Sequence, residues 1–390
     1  MKDETKAITA SRSPAVTQKM VNPPVFKTST VVFESVSDMN HAIANQRNHV
    51  PFYGRRGTPT SFAFCEAMTE LEEGAGTAVY PSGSAAIAHS ILSFSKTGDH
   101  ILVVDNVYEP TRDVCDKFFS GLGISTTYFD PLNLEKFESL IRPETKVVFL
   151  ESPGSITMEI MDIPALCEIA HKHDIVVMCD NTWASPVLFK PLNYGVDVSI
   201  HSATKYIAGH SDIMMGIATS VEKHWPVLRE NSYLMGQCTS PDDLYQALKG
   251  IRTLPTRIRQ HEKNALEVAQ WLVERPEVAR MIHPAFDSCP GHEVWKRDFD
   301  GSNGLFSFTL AYGNTAAVHA FVDNLKHFKL GYSWGGFESL IMFYTNLDKK
   351  RHTQHIANDL PLIRLHIGLE HPSDLIADLE RAFLIFNENV

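Results

Sequence analysis

The chain has 390 residues, 44% of them hydrophobic and 21% charged, which describes a folded protein with a sizeable core and excludes the disordered and fibrous classes. Its 35 basic and 46 acidic residues leave a formal charge of −11, which speaks against a general nucleic-acid or anionic-membrane binder, because both need a positive footprint. No apolar run approaches membrane-spanning length, and the charged start Met1-Lys2-Asp3-Glu4-Thr5-Lys6 leads into no apolar segment of the secretory kind.

In chain order, the first fifty or so residues lack strong periodicity. They contain Ser11-Arg12-Ser13-Pro14 and Asn22-Pro23-Pro24, which predicts an extended arm, residues 1–57, packed on a neighbouring subunit. A helical pattern covers 61–71. The apolar Thr77-Ala78-Val79-Tyr80 and then Pro81-Ser82-Gly83-Ser84-Ala85-Ala86-Ile87 predict strand, tight turn and helix. Strand-like runs at 100–104, 126–129, 147–150, 175–179 and 196–200 alternate with helical stretches, which predicts parallel strands joined by crossover helices. Near Gly250 the order changes. A long helix over 257–273, strands at 304–311 and 328–331, and an amphipathic helix over 373–387 predict a smaller α/β unit. The expected division is the arm, a larger domain over 58–251 and a C-terminal domain over 252–390.

The chemistry concentrates in Ser199-Ile200-His201-Ser202-Ala203-Thr204-Lys205, one lysine behind two hydroxyls, with Cys179-Asp180-Asn181-Thr182 upstream at the carboxyl end of an apolar strand. Ligands of open α/β sheets bind at that end. A lysine amine forms a Schiff base with an aldehyde cofactor, a carboxylate holds the cofactor's ring nitrogen protonated, and small hydroxyls donate to its phosphate, so the segment points to lysine-bound pyridoxal phosphate. Taken singly, Ser-x-Thr-Lys is commonly a solvated turn, and an Asp after a buried strand is commonly a cap. The conjunction carries the reading.

Ser82-Gly83-Ser84, between strand and helix, aims backbone N–H groups at an anion. The glycines of Gly74-Ala75-Gly76 precede the strand and form no GxGxxG, so a dinucleotide site is not indicated. Tyr53-Gly54-Arg55-Arg56-Gly57-Thr58 supplies a phenol and guanidinium groups suited to phosphate, or else a basic surface loop. Tyr108 offers an aromatic face for a planar cofactor; a tyrosine alone is more often packing. His171-Lys172-His173 and His352-Thr353-Gln354-His355 raise a metal question, but neither comes with a complete set of ligands, and no metal is expected. Six cysteines, at 65, 115, 167, 179, 238 and 289, form no CxxC pair, which predicts free thiols in a reducing cytoplasm.

The segments FYGRRGT, YPSGSAA, YEP, FLESPGSITME, DNTW, SIHSATKYIAGHSD, YSWGGFESL and IRLHIGLE follow one another in this order. In them the chain resembles the bacterial cystathionine beta-lyases of the trans-sulfuration family of pyridoxal-phosphate enzymes, from about the arm to the C-terminus. The resemblance implies the aspartate-aminotransferase-like α/β fold (fold type I), with a mainly parallel central sheet, an N-terminal arm and a smaller α/β C-terminal domain. It also implies a homotetramer built from close dimers, with the cofactor at the dimer interface. Lys205 would carry the cofactor, Asp180 would pair with its ring nitrogen and Tyr108 would stack on the ring. Ser82, Gly83, Ser84, Ser202 and Thr204 would surround the phosphate, with Tyr53 and Arg55 reaching it from the neighbouring subunit. Arg364 would grip the α-carboxylate of an amino-acid thioether, with Ser333 and Trp334 close by.

The implied reaction is α,β-elimination of L-cystathionine to homocysteine, pyruvate and ammonia, a step of methionine biosynthesis. A γ-acting sibling is the alternative. Such relatives tend to be acidic where this chain has Phe52 and Tyr332, and the aromatic pair matches the β-lyases. Gly154-Ser155 also departs from the Thr-Asn pair of many γ-acting members. A binding protein of the same fold is the remaining alternative, against which Lys205, Asp180, Tyr108 and Arg364 are all intact.

Overall fold

Seven strands form the main sheet: β1 (Gly76–Tyr80), β2 (His100–Val104), β3 (Ser125–Phe129), β4 (Thr145–Glu151), β5 (Val176–Asp180), β6 (Val198–Ser202) and β7 (Gly216–Ser220). Their spatial order is β1-β7-β6-β5-β4-β2-β3. The computed structural model describes residues 1–12, 17–345, 353 and 360–390. Strands β2 to β6 pair in parallel, as the alternation of apolar runs and helices predicts. Runs such as His-Ile-Leu-Val-Val in β2 are buried throughout, which sheets covered by crossover helices on both faces require.

Strand β7, absent from the predicted set, is antiparallel to both its neighbours. Its Gly-Ile-Ala-Thr-Ser sequence is poor in bulky β-formers because space there is short: a Cβ on Gly216 would stand 2.1 Å from the Ser82 carbonyl oxygen. The small side chains therefore let the sheet close against the predicted turn.

A second sheet orders β8 (Val278–Ile282), β9 (Leu305–Leu310), β10 (Lys329–Leu330), β11 (Leu340–Tyr344) and β12 (Leu362–His366) as β10-β11-β12-β9-β8. The expectation of a smaller α/β unit holds, although only β9 and β10 were among the predicted strands. Strand β12 is hydrogen-bonded on both sides, so Arg364 sits on an interior strand and is not an edge cation.

The helix Pro241–Val273 runs for 33 residues through the expected boundary at 251/252. Its Leu244, Ala247, Leu248, Ile251, Leu254 and Ile258 join the core around the main sheet. Ala265, Val268, Ala269 and Leu272 join the core of the second sheet. One helix thus belongs to both cores.

The arm departs from its predicted extended form. It contains the helices Asp3–Thr9 and Val36–Asn45, and its start folds onto its own chain. Arg252 donates to the carbonyl oxygens of Ala7 and Ala10 at 2.8 and 3.0 Å, and Asp3 pairs with Lys190 at 2.9 Å. Ala7 at 0% exposure anchors that contact. Residues farther along, such as Val32 and Val36, are exposed. Ser13 and Pro14 lie outside the described residues.

Candidate active site

Asp180 ends β5 and is 8% exposed. Its Oδ1 accepts from the Thr182 amide at 3.0 Å and the Thr182 hydroxyl at 2.5 Å. Thr182 Oγ1 in turn accepts from the Ser202 amide at 2.9 Å, which ties the carboxylate to the end of β6 and so to the segment leading to Lys205. Both bonds fall on one oxygen, and Oδ2 makes neither. Burial pushes the Asp180 carboxyl above its ordinary range, while the Thr182 bonds and the charges of His201 and Lys205 pull it back. A cation set against Oδ2 would offset that penalty.

Lys205 follows β6 in a turn closed by its amide on the Ser202 carbonyl at 3.1 Å. Its Nζ donates to Ser333 Oγ at 2.5 Å and lies 5.4 Å from the centre of the Trp334 ring. Burial, and then the Arg364 guanidinium, draw the amine down to about 8, with Asp180 opposing. A lysine in that state can surrender its proton near neutral pH, the property a nucleophilic or basic amine needs. The long helix holds the segment from behind. A Cβ on Gly250 would stand 2.2 Å from the Ile207 carbonyl oxygen, and Arg257 Nη2 donates to that oxygen at 3.3 Å.

Arg364 is half-buried on β12, and burial lowers its pKa, with Tyr344 and Tyr108 opposing. Tyr108 is 45% exposed, and its amide donates to Glu151 Oε2 at 2.7 Å. Burial, followed by the Glu151 and Asp180 carboxylates, pushes its phenol up. Tyr108, Asp180, Lys205 and Arg364 are therefore close enough to act on one another electrostatically, and with Ser333 and Trp334 they form one cleft.

The predicted phosphate turn reaches the same place. Ser82 Oγ accepts from the Ala85 amide at 3.1 Å and so caps the helix Gly83–Phe94. A Cβ on Gly83 would stand 2.7 Å from Ser202 Cβ, so the turn and the lysine segment touch only because that residue is glycine. Thr204 Oγ1 accepts from the Met215 amide at 2.9 Å, which binds it to the chain entering β7. Ser84 is exposed and Ser202 half-buried.

Tyr53 and Arg55 are not brought to this cleft. Arg55 Nη1 donates to the Tyr233 carbonyl oxygen at 2.7 Å. It lines a separate cavity of roughly 560 Å³ with Arg47, His49, Cys65, Arg229 and Cys238, and none of the Lys205 group lines that cavity. Tyr53 is 43% exposed, and Tyr332 is 85% exposed, while Phe52 is half-buried.

The departure at Gly154-Ser155 has a steric cause. A Cβ on Gly154 would stand 1.8 Å from Asn106 Nδ2, which donates to Glu159 Oε2 at 2.9 Å. Asn106 therefore occupies the space a threonine side chain would need. Among the described residues no cluster of His, Cys, Asp or Glu is suited to a metal ion. His171 contacts Asp197 at 3.0 Å, and His352 and His355 lie outside the described residues. Sequence reasoning did not assign Thr182, His366 or Arg257 any role. Thr182 stood in the quoted DNTW and His366 two residues beyond Arg364, so both were visible but unassigned.

Comparison with known proteins identifies the family. The family model described as "Cys/Met metabolism PLP-dependent enzyme" matches residues 4–384. The chain is 48% identical over 392 residues to "Cystathionine beta-lyase MetC" of Escherichia coli (strain K12), covering 97% of this chain and 98% of that one. It is 47% identical over 392 residues to "Cystathionine beta-lyase" of Salmonella typhimurium, with the same coverage. Among solved structures, metB from Corynebacterium glutamicum superposes with a TM-score of 0.90 at 29% identity, covering 98% of both chains. With an aspartate-aminotransferase-like α/β fold and pyridoxal 5'-phosphate as its cofactor, the chain belongs to the Cys/Met metabolism PLP-dependent enzyme family.

Proposed function

We propose that the chain is a carbon–sulfur lyase that cleaves L-cystathionine by α,β-elimination to homocysteine, pyruvate and ammonia. The observation that carries the reading is the convergence on one cleft of the Lys205 amine, lowered to about 8, the Asp180 carboxyl and the Arg364 guanidinium. The near-full-length identity to cystathionine beta-lyases supports the choice of reaction.

The residues present fit the cofactor. Asp180 keeps Oδ2 clear of the Thr182 bonds for a protonated ring nitrogen. Gly83, packed on Ser202 with no room for a Cβ, opens a 12-residue helix, and the helix N-terminus favours an anion. Ser84 and Ser202 are the hydroxyls best placed to donate there. Lys205 would hold the cofactor's aldehyde carbon, and Tyr108 would cover the ring. When bound, the cofactor supplies an electron sink for the pair left at the substrate's Cα.

The chain's own residues do the rest. Arg364 pairs with the α-carboxylate and fixes the amino acid's orientation, which is itself a large catalytic contribution. Lys205 Nζ, once free, takes the Cα proton as general base. The departing thiolate sulfur needs a proton. Lys205 Nζ holds the one just taken, and Tyr108 Oη keeps its own at neutral pH because burial and the neighbouring carboxylates raise it. Phe52 and Tyr332 present aromatic faces instead of carboxylates, in line with β- over γ-elimination. The experiment is direct: with L-cystathionine the purified holoenzyme should give pyruvate and homocysteine, whereas cysteine and 2-oxobutyrate would move the chain to the γ-acting branch.

Arg55 lines a cavity apart from the Lys205 group within one chain, and we assign it, with Tyr53, to a neighbour's phosphate; this requires at least a close dimer, the unit from which we propose a homotetramer is built. Unpaired cysteines support a cytoplasmic setting, and no described helix is long and apolar enough to cross a membrane. The larger domain over 58–251 and the smaller over 252–390 share the long helix between them.

For Arg364→Ala, KM should rise strongly and kcat/KM should fall about 10²–10³-fold, the scale of breaking one side of a buried charge pair. Steady-state kinetics beside a thermal melt decide it. A loss confined to Tm would make Arg364 a structural cation.

A further inference from the structure

We infer that His366 is a positioning residue for Lys205, acting through the Gly335–Gly336 turn that carries Ser333 and Trp334 onto the lysine amine. The inference rests on Lys205 as the cofactor-bearing lysine.

His366 lies on β12 two residues beyond Arg364, so both side chains share one face of the strand. Its ring is 1% exposed. Nε2 stands 3.1 Å from the Gly335 amide nitrogen and 3.0 Å from the Gly336 carbonyl oxygen. One nitrogen serves only one of these at a time. It accepts from Gly335 when the proton is on Nδ1, and donates to Gly336 when the proton is on Nε2. Either neutral tautomer grips the turn. A charged ring, like the Nε2–H tautomer, keeps the Gly336 bond but sets an N–H against the Gly335 N–H, so only the Nδ1–H tautomer accepts from Gly335. Burial first, then His261 from the long helix, with Arg364 and Lys205 adding to them, draws the ring down to about 3, against the Gly336 bond.

The turn sits directly on the lysine's backbone. Gly335 has φ +88°, and a Cβ there would stand 2.9 Å from Lys205 C and 2.8 Å from the Tyr206 nitrogen. Ser333, a non-glycine, also holds φ +88°, a conformation that persists only when its surroundings impose it. Those surroundings are the Lys205 amine, donating to Ser333 Oγ at 2.5 Å, and the turn pinned by His366. Tyr206 packs between Trp334 and His366, with ring centres 5.5 and 5.8 Å apart. A Cβ on Gly304 would stand 3.0 Å from His366 Nδ1, so glycine makes room for the ring. The path from His366 to Nζ is thus continuous through hydrogen bonds and packed atoms.

The test compares three substitutions in the holoenzyme. Gln places an acceptor where Nε2 was, Asn reaches only the Nδ1 position, and Leu fills the volume without an acceptor. The readout is the pH at which the visible absorbance of the Lys205-bound cofactor changes, without substrate, in the field of Asp180 and Arg364. For His366→Gln this midpoint should match wild type. His366→Asn and His366→Leu should displace it by about half a pH unit or more and lower kcat roughly tenfold with little change in KM. If all three titrate like wild type, whatever their Tm, or if Gln is displaced as far as Leu, the inference is overturned. Should Leu not fold, Gln against Asn decides. A wild type without a visible band that Lys205→Ala removes would overturn the Lys205 assignment itself, whereas an intact band with unmoved variants overturns the His366 role alone.

Discussion

Lys205→Ala should release no pyruvate from L-cystathionine at a measurable rate, a loss of about 10⁴-fold or more in kcat, the upper range for removing a general base. The expectation rests on geometry as much as on residue type. The amine is held by Ser333 at 2.5 Å, faces Trp334 and is drawn down to about 8 by burial and Arg364. The substrate complex, in which that amine is free, therefore has a pH dependence of known sign. As pH rises through about 8, Nζ loses its proton and becomes a competent base, so kcat should climb with pH there. Wild-type turnover in the alanine variant, or a kcat flat across that region, would remove Lys205 from the centre of the reaction. Fold is not at issue, since the lysine's backbone is fixed by the Ser202 carbonyl and by the long helix.

Asp180→Asn should lower kcat by roughly 10²–10³-fold, the scale of losing one preorganised electrostatic partner in a buried site. The amide oxygen can still accept both Thr182 bonds, so only the charge is lost. Stability should move the other way. Burial raises the Asp180 carboxyl in the folded chain, and a carboxyl raised on folding contributes stability that is fully present below its unfolded pKa and is lost as pH rises through its folded pKa. At neutral pH the ionised form is therefore a liability without a cation beside it. The cofactor-free Asn variant should melt at the wild-type temperature or above it. A lower Tm together with unchanged kcat would mean that Asp180 serves the fold and not the reaction. A residue that costs stability at the place where it serves chemistry is the pattern expected of functional sites.

Much of the site could be read from sequence because each part is local. Asp180 ends a continuous apolar run, Ser82-Gly83-Ser84 sits between a strand and a helix, and Lys205 follows another apolar run, so each is marked by its neighbours in the chain. The parallel strands were legible for the same reason. Strand β7 was not, since Gly216-Ile217-Ala218-Thr219-Ser220 is small for a reason outside itself: the Ser82 carbonyl crowds Gly216. Strand β12 was read as a motif and not predicted as a strand, so the interior setting of Arg364 was not legible. The arm's helix Asp3–Thr9 is short and mostly polar, and what fixes it is Arg252, more than 240 residues away. His366 escaped notice because its partners, Gly335 and Gly336, are joined to it only across the second sheet. Local pattern reports the elements; the contacts between distant segments decide which of them meet.

The shared helix also bears on how the chain comes to be folded during synthesis. A protein emerges N-terminus first, and a domain closes once all its core residues are out. The core around the main sheet takes in Ile258 from beyond Gly250, then Ile282, Phe299, Leu305 and finally Leu362. Although its sheet is complete at Ser220, that core receives its last residue only with strand β12. Both cores are therefore completed only near the end of synthesis.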